Sequence, residues 1–257
     1  MDLGSEFMMG LLDYKLALVT GASSGVGAAC VRALRKEKID VIAVARRSDR
    51  LADLANDTGC ETISLDLTNT DEIYRQLSKF DFDILINNAG LGRGHEGFNV
   101  SSRSDIDDLI DLNMRAAIHV TRAIAPGMVD RAYGHIVHMS SITALYPLGL
   151  PVYSGTKGGI HSFAQDLRMS FAGTRVRQTE ICPGRIATEF FETAFKNEEE
   201  KKRFMAGFTP LKPEDIAESV MFALRAPWSV NISLIELTPT EQIPGGVIIE
   251  RSRETGA

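Results

Sequence analysis

The chain has 257 residues, 44% of them hydrophobic, with 28 basic and 34 acidic side chains for a net charge of −6. That length and apolar content suit one sizeable α/β core, and the acidic balance offers no general attraction to nucleic acid or an anionic membrane, so any anion site has to be local. Three scattered cysteines, Cys30, Cys60 and Cys182, argue against a disulfide framework and for a reducing compartment, the cytoplasm by default. His135 and His138 would point to opposite faces of a strand, and no Cys/His cluster has metal-ligand spacing, so no metal is expected.

Residues 1–7 have no basic n-region and no long apolar core, so they read as neither signal peptide nor membrane anchor. Residues 1–9 are expected to be a leader outside the fold, with 10–257 forming one domain. The first apolar run, 16–19, has the continuous character of a parallel strand covered on both faces. Next come Gly21-Ala22-Ser23-Ser24-Gly25-Val26-Gly27 and a helical pattern over 28–36. A strand, a glycine-rich turn and a helix start in that order present backbone N–H groups at a positive helix end, where a pyrophosphate can approach the main chain closely. The second strand, 40–45, ends in Arg46 and Arg47. In a dinucleotide-binding unit a carboxylate at this tip bonds the ribose hydroxyls, whereas arginine accommodates a 2′-phosphate. Ala45 stands where the acid would be, which favours NADP over NAD.

The alternation continues with a helix over 50–56, a strand over 61–65 ending at Asp66, a helix over 70–79 and a strand over 84–86. The last of these stops at Asn87-Asn88-Ala89-Gly90, a turn-forming group at the same carboxyl edge as the first glycines. A long helix is expected over 104–131, kinked at Pro126. Asn113 in its middle is unfavourable by propensity, so its side chain either has a task or is exposed. A strand over 135–139 delivers Ser140 and Ser141 to a loop, and the next helix carries Tyr153 and Lys157 on one face. A free phenol, with a pKa of about 10, exchanges protons poorly near neutrality, but a nearby ammonium and the positive end of a helix both favour the phenolate. With a serine hydroxyl to hold a substrate oxygen, these side chains form a site for proton transfer to or from an alcohol or carbonyl oxygen.

A strand over 178–181 leads into Cys182-Pro183-Gly184-Arg185-Ile186-Ala187-Thr188, a loop at the same edge. The charge run of residues 198–203 suits helical i,i+4 pairs, Glu198 with Lys202 and Glu199 with Arg203, and a mobile substrate flap is expected over about 187–212. Pro213 and two acids open a helix over 213–225, and a strand over 231–238 follows. Seven β-runs alternating with helices predict an α/β, doubly wound (Rossmann) seven-stranded parallel sheet with helices on both faces.

The glycine turn preceded by Thr20, the Asn-Asn-Ala-Gly group, Asn113, the serine pair, Tyr153 with Lys157 four residues on, and Pro183-Gly184-x-Ile186-x-Thr188 resemble, in this order, the short-chain dehydrogenase/reductase family over nearly the whole chain. The resemblance implies an NADP-dependent oxidoreductase with Tyr153 as acid/base. Lys157 would lower the tyrosine pKa and hold the nicotinamide ribose, and Asn113 would position a water of the proton relay. Gly21, Ser23, Ser24, Gly25, Val26 and Gly27 would receive the pyrophosphate and Arg46 with Arg47 the 2′-phosphate. Asp66 and Leu67 would flank the adenine, Asn87, Ala89 and Gly90 the adenosine side, and Pro183, Gly184, Ile186 and Thr188 the nicotinamide. The family's usual spacing of thirteen residues before the tyrosine picks Ser140, whereas the second place of the pair at the strand end picks Ser141; strand register favours Ser141.

Further stretches, Gly134-His135-Ile136, Thr188-Glu189-Phe190, residues 212–216 and the ending over 235–242, look like the 3-hydroxy acid dehydrogenases that oxidise serine and allo-threonine, and like sulfoacetaldehyde reductases. The implied substrate is therefore a small hydroxy or oxo acid, with Arg185, and less so Arg93, as candidates to clamp its acid group. A neutral ketone, aldehyde or sugar is the alternative, and a non-catalytic nucleotide sensor a remote one. A homodimer or homotetramer, paired through the helices of Asn113 and Tyr153, is implied in the same way.

Overall fold

Apolar runs too short to form buried helices set seven strands side by side in a computed structural model that describes residues 13–93, 97–189, 199, 202 and 208–242. They are β1 (Leu16–Thr20), β2 (Asp40–Ala45), β3 (Glu61–Ser64), β4 (Ile84–Asn87), β5 (Gly134–Met139), β6 (Val176–Pro183) and β7 (Leu234–Leu237). Every pairing is parallel, in the order β3-β2-β1-β4-β5-β6-β7. β4, β5 and β6 are buried along their whole length while β3, at the edge, is largely exposed, as expected where helices cover both faces of the central strands. On one face α1 (Gly25–Lys36), α2 (Ser48–Thr58) and α7 (Pro213–Arg225) bury Val31, Leu34, Leu51, Val220 and Leu224. On the other, α3 (Thr70–Leu77) and α5 (Ala116–Asp130) bury Ile73, Leu77, Val120 and Ile124, and α6 (Pro151–Ser170) packs Leu167 against the same cluster.

The chain runs outward from β1 through β2 to β3 and then returns to the other side of β1 as β4. This reversal opens a crevice beyond the carboxyl ends of β1 and β4, the place where open α/β sheets receive ligands. Among the described residues no helix is long and apolar enough to cross a membrane.

Several boundaries differ from the sequence expectations for identifiable reasons. α1 starts at Gly25 rather than at residue 28, so the last two glycines of the turn lie in its first turn. The helix expected over 104–131 is divided into α4 (Arg103–Ile110), a π-helical turn over Asp111–Arg115, and α5. The interruption falls at Asn113 and not at Pro126, which is carried inside α5. β6 is longer than expected and β7 shorter. Asn231 takes the place of a strand residue by using its side chain, whose Oδ1 accepts from the Gln178 N–H at 2.9 Å while its Nδ2 donates to the Gln178 carbonyl at 3.1 Å. Most of the expected flap, including Glu198 and Arg203 of its two ion pairs, lies outside the described residues, as does the expected leader.

Candidate active site

Close packing explains the glycines at the sheet edge. Gly21 has φ +65°, and a Cβ there would stand 2.8 Å from Ala89 Cα, while a Cβ on Gly27 would stand 2.7 Å from Asn88 Nδ2. The turn after β1 and the turn after β4 thus touch through their backbones. Two residues not singled out in the sequence as site residues hold them together. Thr20 Oγ1 accepts from the N–H groups of Asn88 (3.0 Å) and Ala89 (3.1 Å), and Asn88 Nδ2 donates to the carbonyls of Thr20 (3.0 Å) and Gly21 (3.3 Å). Asn87 faces the other way. Its amide donates to the Ala117 carbonyl and Thr121 Oγ1 on α5, so only its main chain reaches the crevice. Leu67 is likewise packed into the core, leaving its backbone for an adenine.

Beside this turn the arginines gather. Arg47 donates to Ser23 Oγ (3.0 Å) and Ser24 Oγ (2.7 Å), and Ser24, at the N-cap of α1, makes no side-chain cap to its own helix. The first-turn N–H groups of α1 and a guanidinium therefore share one spot, chemistry that suits a phosphorylated dinucleotide. Asp66 accepts from the N–H and Oγ1 of Thr68. Partial burial raises its carboxyl, yet these two bonds and the Arg46 charge carry it below the ordinary value, so it stays ionised at the third strand's tip.

Across the crevice α6, opened by Pro151 in its first turn, places Tyr153 and Lys157 one turn apart. The Ser141 hydroxyl hydrogen-bonds the Tyr153 phenol. Ser140 points elsewhere, its Oγ donating to the Lys157 carbonyl at 3.4 Å. Lys157 Nζ donates to the Met139 carbonyl at 2.8 Å and lies 5.9 Å from the Tyr153 ring centroid. Asn113, 2% exposed, answers its own propensity question: Oδ1 accepts from the Leu91 N–H at 2.8 Å and Nδ2 donates to the Leu91 carbonyl at 2.9 Å. Gly90 sits between, where a Cβ would come 3.1 Å from Asn113 Oδ1 and 3.7 Å from Lys157 Nζ.

Burial works against the expected lowering of the tyrosine pKa. Burial pushes Tyr153 up to about 12, opposed only by the Ser141 hydrogen bond. Burial also lowers Lys157 to about 8, against the raising effects of Cys182 and Glu180. Desolvation disfavours both charged forms. Glu180, buried on β6 with Oε2 at 2.7 Å from His161 Nδ1 on α6, was not legible in the sequence, because no local spacing pairs a strand residue with a helix residue.

The loop after β6 closes the site. Gly184 N–H donates to the Leu237 carbonyl at 2.8 Å, Ile186 bridges Leu211, and the Thr188 methyl lies 3.3 Å from where Gly25 would carry a Cβ. Thr188 thus meets the glycine turn, while Pro183 ends β6 and Gly184 and Ile186 are tied to β7 and Leu211. Arg185 stacks its guanidinium 5.1 Å over the Phe208 ring. Arg93 is bound by Asp105 (2.7 Å) and Asp108 (2.9 Å), so a substrate acid group would compete with two carboxylates for it. Arg93, Phe98, Ser101, Leu150, Pro151 and Val152 line a shallow hollow beside Tyr153.

Comparison with known proteins identifies relatives of the chain. Residues 15–199 match the sequence profile of the short chain dehydrogenase family. The chain is 37% identical over 247 residues to the NADP-dependent 3-hydroxy acid dehydrogenase of Salmonella typhi, covering 92% of this chain and 100% of that protein. It is 35% identical to its namesake in Escherichia coli strain K12, covering 92% and 99%. Among solved structures, the closed form of a serine dehydrogenase complexed with NADP+ superposes with a TM-score of 0.88 at 35% identity, covering 92% of this chain and all of that one. An alcohol dehydrogenase from the archaeon Thermococcus sibiricus, complexed with 5-hydroxy-NADP, gives 0.76 at 26% identity, covering 90% and 98%.

Proposed function

Because the chain belongs to the short-chain dehydrogenase family, we propose that it transfers a hydride between NADP and a small 3-hydroxy acid or its oxo counterpart. It is an NADP-dependent oxidoreductase acting on CH–OH and C=O groups. The observation that carries the site assignment is the convergence of Ser141, Tyr153 and Lys157 beside the Asn113-braced turn at the carboxyl edge of the sheet.

Bound NADP supplies the hydride acceptor, or in its reduced form the donor. The side chains handle the proton and the substrate oxygen. Ser141, already bonded to the phenol, orients the hydroxyl or carbonyl oxygen, and Tyr153 takes or gives the proton on that oxygen. Lys157, one helical turn from Tyr153 with its Nζ held by the Met139 carbonyl, holds the nicotinamide ribose. Asn113, in the π-turn and bonded to the Leu91 main chain, positions a water of the proton relay. Arg46 and Arg47 receive the 2′-phosphate, Gly21 to Gly27 the pyrophosphate, Asp66 and the Leu67 backbone the adenine. Asn87, Ala89 and Gly90 line the adenosine through their main chain, and Pro183, Gly184, Ile186 and Thr188 the nicotinamide.

The described chain works in this reading as one catalytic domain. The buried, unpaired cysteines favour a reducing, cytoplasmic setting. Association into a homodimer or homotetramer through the helices of Asn113 and Tyr153 belongs to the same reading, by likeness to the family.

Tyr153→Phe tests the chemistry. It keeps the ring and removes the proton, so NADPH binding followed by nicotinamide fluorescence stays within about twofold while turnover of a 3-hydroxy acid falls about 10²–10⁴-fold. Near-normal turnover would exclude Tyr153 as the acid/base. A panel in which neutral alcohols outpace 3-hydroxy acids would overturn the substrate class.

A further inference from the structure

Two guanidiniums converge on a single carboxylate at the edge of the glycine turn. Arg50 NH1 lies 2.5 and 2.6 Å from the two oxygens of Glu189, and Arg47 NH1 lies 3.1 Å from Oε2. The same Arg47 donates its other nitrogens to Ser23 and Ser24, so this anion point adjoins the turn that faces the pyrophosphate. Glu189 reaches it from the opposite wall of the crevice, one residue after Thr188. Nothing in the local sequence announces the contact, which joins residues 142 apart.

We propose that Glu189 is a built-in competitor of the cofactor's 2′-phosphate: its carboxylate occupies Arg47 and Arg50, and Arg50 becomes a further ligand of the phosphate when Glu189 is displaced. This rests on the reading of Arg46 and Arg47 as the phosphate site. The three side chains are 40–48% exposed, so the ion pairs are screened and exchange readily with solvent. A phosphate carries more charge and three acceptor oxygens, and it outcompetes a carboxylate for paired guanidiniums. A dinucleotide without that phosphate leaves the Glu189 contacts in place. Glu189 thereby sets the affinity for NADP without touching the affinity for NAD, and Arg50 adds to the discrimination although it lies outside the two-arginine tip of β2.

Equilibrium titrations read this without turnover: NADPH and NADH by nicotinamide fluorescence, and 2′,5′-ADP against 5′-ADP by calorimetry. Glu189→Gln keeps the shape and removes the charge. It is expected to tighten NADPH and 2′,5′-ADP about three- to tenfold, the worth of exposed ion pairs, and to leave NADH and 5′-ADP unchanged. Arg50→Ala is expected to weaken NADPH and 2′,5′-ADP about three- to tenfold, again without effect on NADH. A Glu189→Gln variant with unchanged or weaker NADPH binding, or with NADPH and NADH tightened equally, overturns the competition; weaker binding would mean that Glu189 preorganises the arginines. The double variant Arg46→Ala/Arg47→Ala separates the two layers of the argument. If it leaves the NADPH-to-NADH ratio at the wild-type value, the phosphate site itself is misplaced. If it collapses that ratio while Glu189→Gln does nothing, the site stands and only the competitor falls.

Discussion

Replacing Asn113 by leucine removes a buried amide of similar size and leaves both polar groups of Leu91 without the partners that hold them at 2.8 and 2.9 Å. A backbone group that loses its only protein partner costs about 1–3 kcal/mol when buried. Leu91 is partly exposed, so each group falls near the lower end, and the pair costs about 2–3 kcal/mol. For a chain of this size that lowers the melting temperature by about 4–12 °C. The damage extends into the site, because Gly90, next to Leu91, is in contact with both Asn113 and the neighbourhood of Lys157 Nζ. Scanning calorimetry gives the stability, and steady-state assay of the same preparation gives the accompanying loss in kcat. Asn113→Asp provides an internal comparison. It keeps the acceptor for the Leu91 N–H but sets a carboxylate oxygen against the Leu91 carbonyl, so loss of stability with no better retention than leucine is expected above the carboxyl pKa and partial recovery below it. A melting temperature for Asn113→Leu within about 2 °C of wild type would refute the claim that this amide holds the π-turn to the β4 tip.

Two further substitutions probe the opposite wall. Ser141→Ala removes a group bonded to the Tyr153 phenol and is expected to lower kcat/KM about 10²-fold, whereas Ser140→Ala removes a long bond to the Lys157 carbonyl and should cost less than about tenfold. The reverse order would place the catalytic hydroxyl at Ser140. Lys157 carries a pH signature: its folded pKa of about 8 lies below the ordinary 10.5 because burial penalises the ammonium. Below pH 8 both folded and unfolded chains hold the proton and the penalty is fully present; between about 8 and 10.5 the unfolded chain binds more protons, so stability rises with pH. Urea unfolding of wild type and Lys157→Met at pH 7 and 9.5 should shift the difference by about 2 kcal/mol in favour of wild type at the higher pH. A difference that is constant across that range would show that Lys157 is not desolvated.

What the sequence by itself determined is whatever depends on near neighbours. Continuous apolar runs such as residues 84–86 declare buried parallel strands, proline and acids at 213–215 declare a helix start, and the order of turns after β1, β4, β5 and β6 places the polar groups at one sheet edge. Seven strands and their alternation with helices were legible on that basis, as was the approach of Tyr153 to Lys157, which needs only helical spacing. The tertiary structure decided what depends on burial and on partners far away in the chain. Asn113 breaks a helix that its neighbours would have continued, because Leu91 on another element takes both ends of its amide. Asn87 and Leu67 turn their side chains inward, and Asn231 replaces a strand residue, since the buried polar groups and apolar surface facing them had to be matched. The raised pKa of Tyr153 follows from desolvation, which no spacing of charges along a helix encodes. Glu189 meets Arg47 and Arg50 only because the sheet brings the ends of β2 and β6 to the two sides of one crevice.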